Sequence, residues 1–159
     1  MDRNRVSEQY LHLREQVLQY TNDDMNLKLE NDNQVYIAVF DVPTESLIVG
    51  GDIQTYALVF GLNTHIYFGS GDAITGLEKR KNVMMAMQSL LISAGQVLGK
   101  MEQTNNVEYY ENSHIRAYLK TRKGIFFREL NGNCKEDKFL SMLLNNLRKE
   151  ISGVIHEIK

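Results

Sequence analysis

Few residues in this chain have the types and spacing that catalysis or metal binding requires. The four histidines stand far apart, with no pair at the spacing of a zinc site: His12, His65, His114 and His156. One cysteine, Cys134, can form neither an internal disulfide nor a Cys-x-x-Cys pair. Ser70 lies in Gly-Ser-Gly, but a nucleophile elbow would need glycine where Phe68 and Asp72 stand. We therefore name no catalytic residue, metal site or cofactor, and the sequence favours a protein that is not an enzyme.

A glycine-bearing loop is the first candidate ligand site. It follows a predicted strand and precedes a predicted helix, where backbone N–H groups can hold a phosphate, and its residues are Gly69, Ser70, Gly71 and Gly76. The loop lacks the Gly-Lys-Ser/Thr ending of a P-loop and the glycine spacing of a dinucleotide site. The alternative is a turn whose glycines adopt positive φ.

A mixed row of basic and aromatic residues is the second candidate. His114, Arg116, Tyr118 and Lys120 alternate with apolar residues along a predicted strand, as in a sheet that binds RNA. The alternation predicts that this sheet has one wet face. Because the net charge is −2, we favour a solvated surface over a nucleic-acid site.

A long neutral segment is the third candidate, and no charged residue lies between Lys81 and Lys100. As a helix it places a full apolar stripe on one face: Val83, Met87, Leu90, Leu91, Ala94, Val97, Leu98 and Met101. The opposite face is apolar, small or neutral where charges are usual. We expect another segment or a second subunit to cover it, with an interface at Met85, Ile92, Gly95 and Gly99.

The neutral segment does not predict a membrane span. It is slightly shorter than the roughly 20 apolar residues required, and glutamines, serines and glycines interrupt it. The first residues, MDRNRVSEQYLHL, lack the apolar core of a signal peptide. With a single cysteine, these features predict a cytoplasmic protein with no membrane partner.

The elements that position these candidates are three helices and up to seven strands. We predict helices near 3–20, 82–101 and 134–158, and strands at 35–40, 46–49, 55–60 and 65–68. Short turns then predict a meander of strands at 107–111, 114–121 and 125–130. The prediction is one α+β domain over 1–159, with an antiparallel sheet of five to seven strands in the order α-β-β-β-β-α-β-β-β-α. Either the strand near Leu47 or the hairpin at 55–68 pairs with the strand at 35–40, and we expect both to join one sheet. The sequence leaves open whether the hairpin extends the sheet or folds over it.

This order of elements resembles that of roadblock and longin-like (profilin-like) domains, with the 55–68 hairpin as an insertion before the middle helix. GAF and PAS sensor domains are similar in element order. Roadblock-type domains dimerise and act as scaffolds or regulators of small GTPases, so that resemblance implies a regulatory or scaffolding role.

Three functional hypotheses follow. The first is a non-enzymatic regulatory or scaffolding protein that acts through protein contacts, as a homodimer or a subunit. The second is a small-ligand sensor with a pocket between the sheet and the middle helix, near Gly69 to Gly76. The third is an immunity or inhibitor protein.

Overall fold

The computed structural model describes residues 6–43, 53–60, 63–110 and 112–158. The helices are α1 (Glu8–Gln19), α2 (Lys81–Ala94) and α3 (Lys135–Ile158). The strands are β1 (Ile37–Pro43), β2 (Ile53–Val59), β3 (Asn63–Phe68), β4 (Ala73–Ile74), β5 (Glu102–Thr104), β6 (Ile115–Thr121) and β7 (Gly124–Leu130). The predicted α+β class is confirmed, with a helix towards each end and one between the two groups of strands.

The seven strands form one antiparallel sheet in the order β4-β3-β2-β1-β6-β7-β5. β1 is the central strand and pairs with β2 on one side and β6 on the other. Its sequence, IAVFDVP, is rich in β-branched and aromatic residues, which suits a strand buried on both faces. The 55–68 hairpin extends the sheet through β2 and β3. The predicted strand at 46–49 lies outside the described residues.

Helices cover both faces of the sheet. Along β1, Ala38 and Phe40 belong to a core with α2 and α3, whereas Ile37 and Val39 belong to a second core with α1. This alternation follows from the two-residue period of a strand. The sheet is therefore the middle layer of three.

The prediction of one wet sheet face is wrong. Arg116, Tyr118 and Lys120 on β6 are all buried, and of the predicted row only His114 is exposed. The face that they share is covered by α1 and by side chains from the segment between α1 and β1, such as Leu29. Polar residues alternate with apolar ones here because the polar set has partners inside the second core.

The predicted meander is wrong in its first strand. Residues 107–110 form no strand, and residue 111 lies outside the described residues. The third strand of this group is β5, which pairs with β7. Arg14 Nη1 donates to the carbonyl of Val107 at 2.5 Å, and Tyr109 packs edge-on against Tyr10 with ring centroids 5.6 Å apart. Contacts with α1 therefore hold a segment whose composition favours a strand.

Helix α2 ends earlier than predicted, at Ala94, and the chain continues as a 3₁₀ helix over Gly95–Lys100. Val97 and Leu98 in the 3₁₀ helix remain buried, so the apolar stripe of α2 extends through the change of pitch. Nearly all of the predicted segment is thus helical, first as an α-helix and then as a 3₁₀ helix.

Candidate interaction surface

Helix α2 has one buried face and one exposed face. Its buried side chains are those of Val83, Ala86, Met87, Leu90, Leu91 and Ala94. On the opposite side Met85 and Ile92 are 57% and 74% exposed. They are two helical turns apart and so lie on the same face. We call the exposed residues Met85, Gln88, Ser89, Ile92 and Gln96 the α2 outer face.

The neighbouring helix α3 provides a contrast. Its Met142 is also 57% exposed, but it lies among exposed polar residues that include Lys138, Asn145 and Asn146. A single apolar side chain in a polar setting is ordinary for a protein surface. The α2 outer face differs because it carries two large apolar side chains with only neutral residues between them; Lys81 lies one turn before Met85.

The two glycines predicted for the interface have different surroundings. A Cβ on Gly95 would lie 2.4 Å from the backbone oxygen of Asn33, so this glycine permits a close approach within the same chain. A Cβ on Gly99 would meet no atom of the described residues within 4 Å. Gly95 therefore has an internal packing role, whereas the exposed Gly99 leaves space beside the helix.

A groove of about 520 Å³ borders the α2 outer face at Ile92. Leu91, Phe60 and Val35 provide its apolar lining, and the segment before β1 provides a polar lining that includes Glu30 and Asn33. The groove continues the apolar surface of Ile92 toward the sheet. An apolar side chain of a partner could pack against Ile92 and enter the groove beside it.

The glycine loop is arranged differently from a phosphate-binding loop. The N–H of Gly69 donates to Ile53 O at 3.1 Å and that of Gly71 to Phe68 O at 2.8 Å. The N–H of Asp72 donates to Ser70 Oγ at 3.4 Å. These donors are directed to acceptors within the protein and do not converge on a ligand position.

The same loop supports the start of α1. Ser7 N donates to Gly69 O at 2.8 Å, and Ser7 Oγ accepts the N-cap hydrogen bond from Tyr10 N at 3.0 Å. Gly71 has φ +103°, and a Cβ there would lie 2.8 Å from Ser7 Oγ. Gly76 also has positive φ and precedes a 3₁₀ turn. These contacts give Gly69, Gly71 and Gly76 local structural roles.

A buried polar cluster beneath α1 was not found by sequence reasoning. Asp41 of β1 accepts hydrogen bonds from Arg14 Nε at 3.1 Å and Arg14 Nη2 at 2.7 Å. Thr55 Oγ1 also donates to Asp41, at 2.7 Å, so the hydroxyl of Tyr10, 2.5 Å from Thr55 Oγ1, is the donor in that contact. The sequence signal was a charged Asp41 within an otherwise apolar strand.

A second arginine, Arg116, lies beside the same carboxylate. Its Nε is 4.0 Å from Asp41 Oδ2, and its Nη1 donates to Asn112 O at 3.0 Å. The rings of Tyr109 and Tyr110 lie over its guanidinium, with centroids 5.8 and 5.0 Å from Cζ. Two cations thus share one carboxylate, with aromatic faces providing further stabilisation.

Burial and the central carboxylate change the acid–base behaviour of this cluster. Burial, followed by the charge of Asp41, raises the pKa of Tyr10 well above its ordinary value. Burial opposes protonation of Arg14, but Asp41 prevails and raises the pKa of that guanidinium. The tyrosine stays protonated and the arginine charged at neutral pH. The arrangement provides a fixed ion pair and no general base.

Lys120 connects β6 to the end of α1. Its Nζ donates to Leu18 O at 2.7 Å and also to Tyr20 O. These are carbonyls at the C-terminal end of the helix, which lack intrahelical donors and attract positive charge. Burial lowers the pKa of Lys120 to about 8. The lysine therefore acts as a helix cap within the protein.

Cys134 lies beside a charged pair at the start of α3. Arg128 Nε donates to Asp137 Oδ1 at 2.5 Å, and Arg128 Nη2 is 3.5 Å from Cys134 Sγ. Asp137 Oδ2 also accepts from Asn131 N at 3.2 Å. Within the described residues, no group of three metal-ligating side chains occurs. The contacts around Cys134 tie the first turn of α3 to β7 through Arg128 and Asp137.

Across the described ranges, none of the helices combines the length and the apolarity that crossing a membrane requires. Comparison of the chain with protein-family models, curated proteins and solved structures finds no match. The resemblance to roadblock, longin-like, GAF and PAS domains therefore stays one of element order.

Proposed function

We propose that this protein is a non-enzymatic regulatory or scaffolding protein that associates with itself through the α2 outer face. The observation that carries the proposal is the exposure of Met85 and Ile92, 57% and 74%, on one face of a helix that carries no charge after its first residue, Lys81. Apolar side chains grouped in this way are a feature of protein-binding surfaces.

A second copy of the chain is the partner that this surface favours. In a twofold dimer the same patch lies on both subunits, so charges near the axis meet like charges. Between Met85 and Ile92 the α2 outer face carries only neutral side chains, so two copies whose axis lies there approach without that repulsion. Gln88 and Ser89, between the two apolar residues, can hydrogen-bond across the axis.

The magnitude of the apolar contribution predicts weak association. Covering Met85 and Ile92 on both copies contributes on the order of 5 kcal/mol. Association itself costs at least about 4 kcal/mol. The surplus from these side chains is small, so the groove at Ile92 must contribute for a dimer to form. We expect a dissociation constant of roughly 10 to 500 µM, or about −7 to −4.5 kcal/mol, so the groove must contribute about 4 to 6 kcal/mol.

Charge substitutions on the α2 outer face test this proposal. Met85→Glu and Ile92→Glu each place a carboxylate in the proposed contact, and both should lower the weight-average sedimentation coefficient at high protein concentration. Because both positions are exposed, the free energy of unfolding should change by no more than about 0.5 kcal/mol. Gly95→Arg is a poorer test because any side chain there would collide with Asn33.

Met142→Glu is the matched control, since it makes the same substitution at the same 57% exposure on α3. It should leave the sedimentation coefficient of the wild type unchanged. The proposal is wrong if Met142→Glu has the same effect as Met85→Glu, or if both α2 variants sediment like the wild type.

A further inference from the structure

A cavity of about 370 Å³ lies between strands β2 and β3 and the second half of α3. This volume falls in the range of small-molecule sites, roughly 300 to 1,000 Å³. Phe68 is the partly exposed apolar residue of its wall, and Ile66 and Ile151 also line it but are each only 2% exposed. The cavity thus offers a surface suited to an aromatic or aliphatic group.

The polar part of the wall is positively charged. Arg148 and Lys149 both line the cavity, and its described lining includes no aspartate or glutamate. The whole chain has a net charge of −2, so this local excess of cations is not a consequence of composition. Two cations beside an apolar wall favour an organic anion.

Arg148 is held in place by a buried tyrosine. Its Nε donates to the Tyr56 hydroxyl at 3.2 Å, and that hydroxyl donates to Gln54 Oε1 at 2.8 Å. The guanidinium carbon lies 5.6 Å from the centroid of the Tyr56 ring. Because Nε is engaged by Tyr56, the two Nη groups remain to bind a pair of oxygens, which is the geometry that carboxylates and phosphates match.

Other arginines of the protein have acidic partners. Arg14, Arg122 and Arg128 pair with Asp41, Asp32 and Asp137, respectively. Within the part of the chain that the structure describes, Arg148 forms no such ion pair. Its only described hydrogen bond is the one to Tyr56. An oriented arginine without a carboxylate, at the wall of a cavity, is available for an anion from outside the chain.

We propose that this cavity binds a small organic anion, in which a carboxylate or phosphate group contacts Arg148 and Lys149 and an apolar body packs against Phe68. Phe68 directly precedes Gly69, so this site borders the glycine loop where a ligand was first expected, but none of Gly69, Ser70, Gly71 and Gly76 lines it. It also makes no use of the α2 outer face, so it stands or falls independently of self-association.

Chemical-shift titration of the full-length ¹⁵N-labelled protein tests the proposal. The probes are phenyl phosphate, benzoate, inorganic phosphate and benzyl alcohol. Saturable shifts at Phe68 and Arg148 are expected with one or both aromatic anions, and these two arms distinguish a phosphate ligand from a carboxylate ligand. Binding should be roughly tenfold weaker or more for neutral benzyl alcohol, which cannot pair with the guanidinium.

Variants at Arg148 separate its charge from its geometry. Arg148→Met should weaken binding of the preferred anion roughly ten- to hundredfold. Arg148→Lys keeps the charge without the planar fork and should lie between that variant and the wild type. Tyr56→Phe keeps Arg148 but removes the hydroxyl that orients it, and should also weaken binding. Should Arg148→Met fail to fold, Lys149→Gln at an exposed position provides the charge test.

Arg122→Met is the control, because it removes one arginine charge at a site paired with Asp32. It should bind the anion as the wild type does. The proposal is overturned if neither aromatic anion shifts Phe68 or Arg148 saturably, or if Arg122→Met weakens binding as much as Arg148→Met. Equal affinity for inorganic phosphate and phenyl phosphate would remove the role proposed for Phe68.

Discussion

Arg14 and Asp41 join α1 to the central strand of the sheet through a fully buried ion pair. Their side chains are 3% and 0% exposed, and the carboxylate receives further bonds from Thr55. Removing one partner of such a pair leaves a buried charge without compensation, which costs more than the pair itself contributes. The buried contacts of Arg14 and Asp41 therefore fix the position of α1 on the sheet.

Replacing Arg14 with methionine should therefore destabilise the fold strongly. We expect Arg14→Met to lower the free energy of unfolding by about 3 to 5 kcal/mol in urea denaturation, because Asp41 stays buried with Arg116 as its one remaining cation. Arg122→Met is the matched comparison, since Arg122 and Asp32 are 44% and 56% exposed. It should cost less than about 1 kcal/mol. Similar losses for the two variants would contradict the role of the buried cluster.

Lys120 predicts a pH dependence of stability with a definite sign. Its folded-state pKa of about 8 lies below the ordinary lysine pKa of 10.5, so between these pH values the unfolded chain binds more protons than the folded one. Stability must then rise with pH through this window, because loss of the proton removes the cost of burying the charge. Well below pH 8 the folded protein carries the full cost of burying the charged Lys120, which lowers its free energy of unfolding.

Urea denaturation of the wild type and Lys120→Met between pH 7 and 9.5 measures this effect. The wild type should gain up to about 2 kcal/mol relative to the variant across the range. The upper limit stays below the ordinary pKa of tyrosine, since burial raises the pKa of Tyr36, Tyr67 and Tyr118 and ionisation of the unfolded chain would oppose the gain. If the free energy of unfolding changes equally with pH in the wild type and in Lys120→Met, folding does not lower the pKa of Lys120 and this prediction is wrong.

At the scale of elements, the change from α2 to a 3₁₀ helix coincides with a close backbone contact at Gly95. Gly95 is the first residue of the 3₁₀ segment, and the carbonyl of Asn33 approaches it where a side chain would stand. This approach couples the end of α2 to the loop that precedes β1. The contact also forms one side of the groove at Ile92.

Alanine substitution at Gly95 and Gly99 distinguishes these two glycines. Gly95→Ala should destabilise the protein by about 1 to 3 kcal/mol, because the new methyl group forces the backbone of the Asn33 loop to move. Gly99→Ala meets open space among the described residues and should be neutral or stabilising by up to about 1 kcal/mol. Thermal unfolding of the two variants provides the measurement. If Gly95→Ala is as stable as Gly99→Ala, the close approach of the Asn33 carbonyl to Gly95 does not contribute to stability.

The sequence predicted helices and central strands better than it predicted their neighbours. The stripe of α2 and the composition of β1 are local signals, and both elements formed with shifted ends: α2 stops at Ala94, and β1 covers Ile37–Pro43 where 35–40 was predicted. The segment 107–110 was misassigned because its conformation depends on Arg14 and Tyr10, far away in the sequence. β5, with the sequence EQT, has no strand composition of its own and forms by pairing with β7.

The polar row on β6 was misread for a similar reason. Alternation of polar and apolar residues normally indicates a solvated face, but Arg116 lies beside Asp41 and Lys120 caps α1. A single sequence does not reveal which distant residue will provide such a partner. The anion-binding cavity was equally hidden, since Tyr56 and Arg148 meet only when α3 packs on the sheet.

At the scale of the whole molecule, both sheet faces are covered from within the chain. Helices α2 and α3 cover one face and α1 covers the other, so among the described residues the centre of the sheet has no open apolar face. The sequence predicted cover on both sides of α2. In the single chain the sheet side is covered, whereas Met85 and Ile92 remain exposed. Self-association would complete the cover that the neutral composition of α2 predicts.

Sedimentation equilibrium of the unmodified full-length protein tests this claim most directly. Measured from about 1 µM to about 500 µM at physiological salt, the average molar mass should rise from the monomer value of 18.3 kDa toward twice that value. The increase should be reversible on dilution, as expected for a weak apolar contact. A mass that stays at 18.3 kDa up to the highest concentration would contradict self-association through α2.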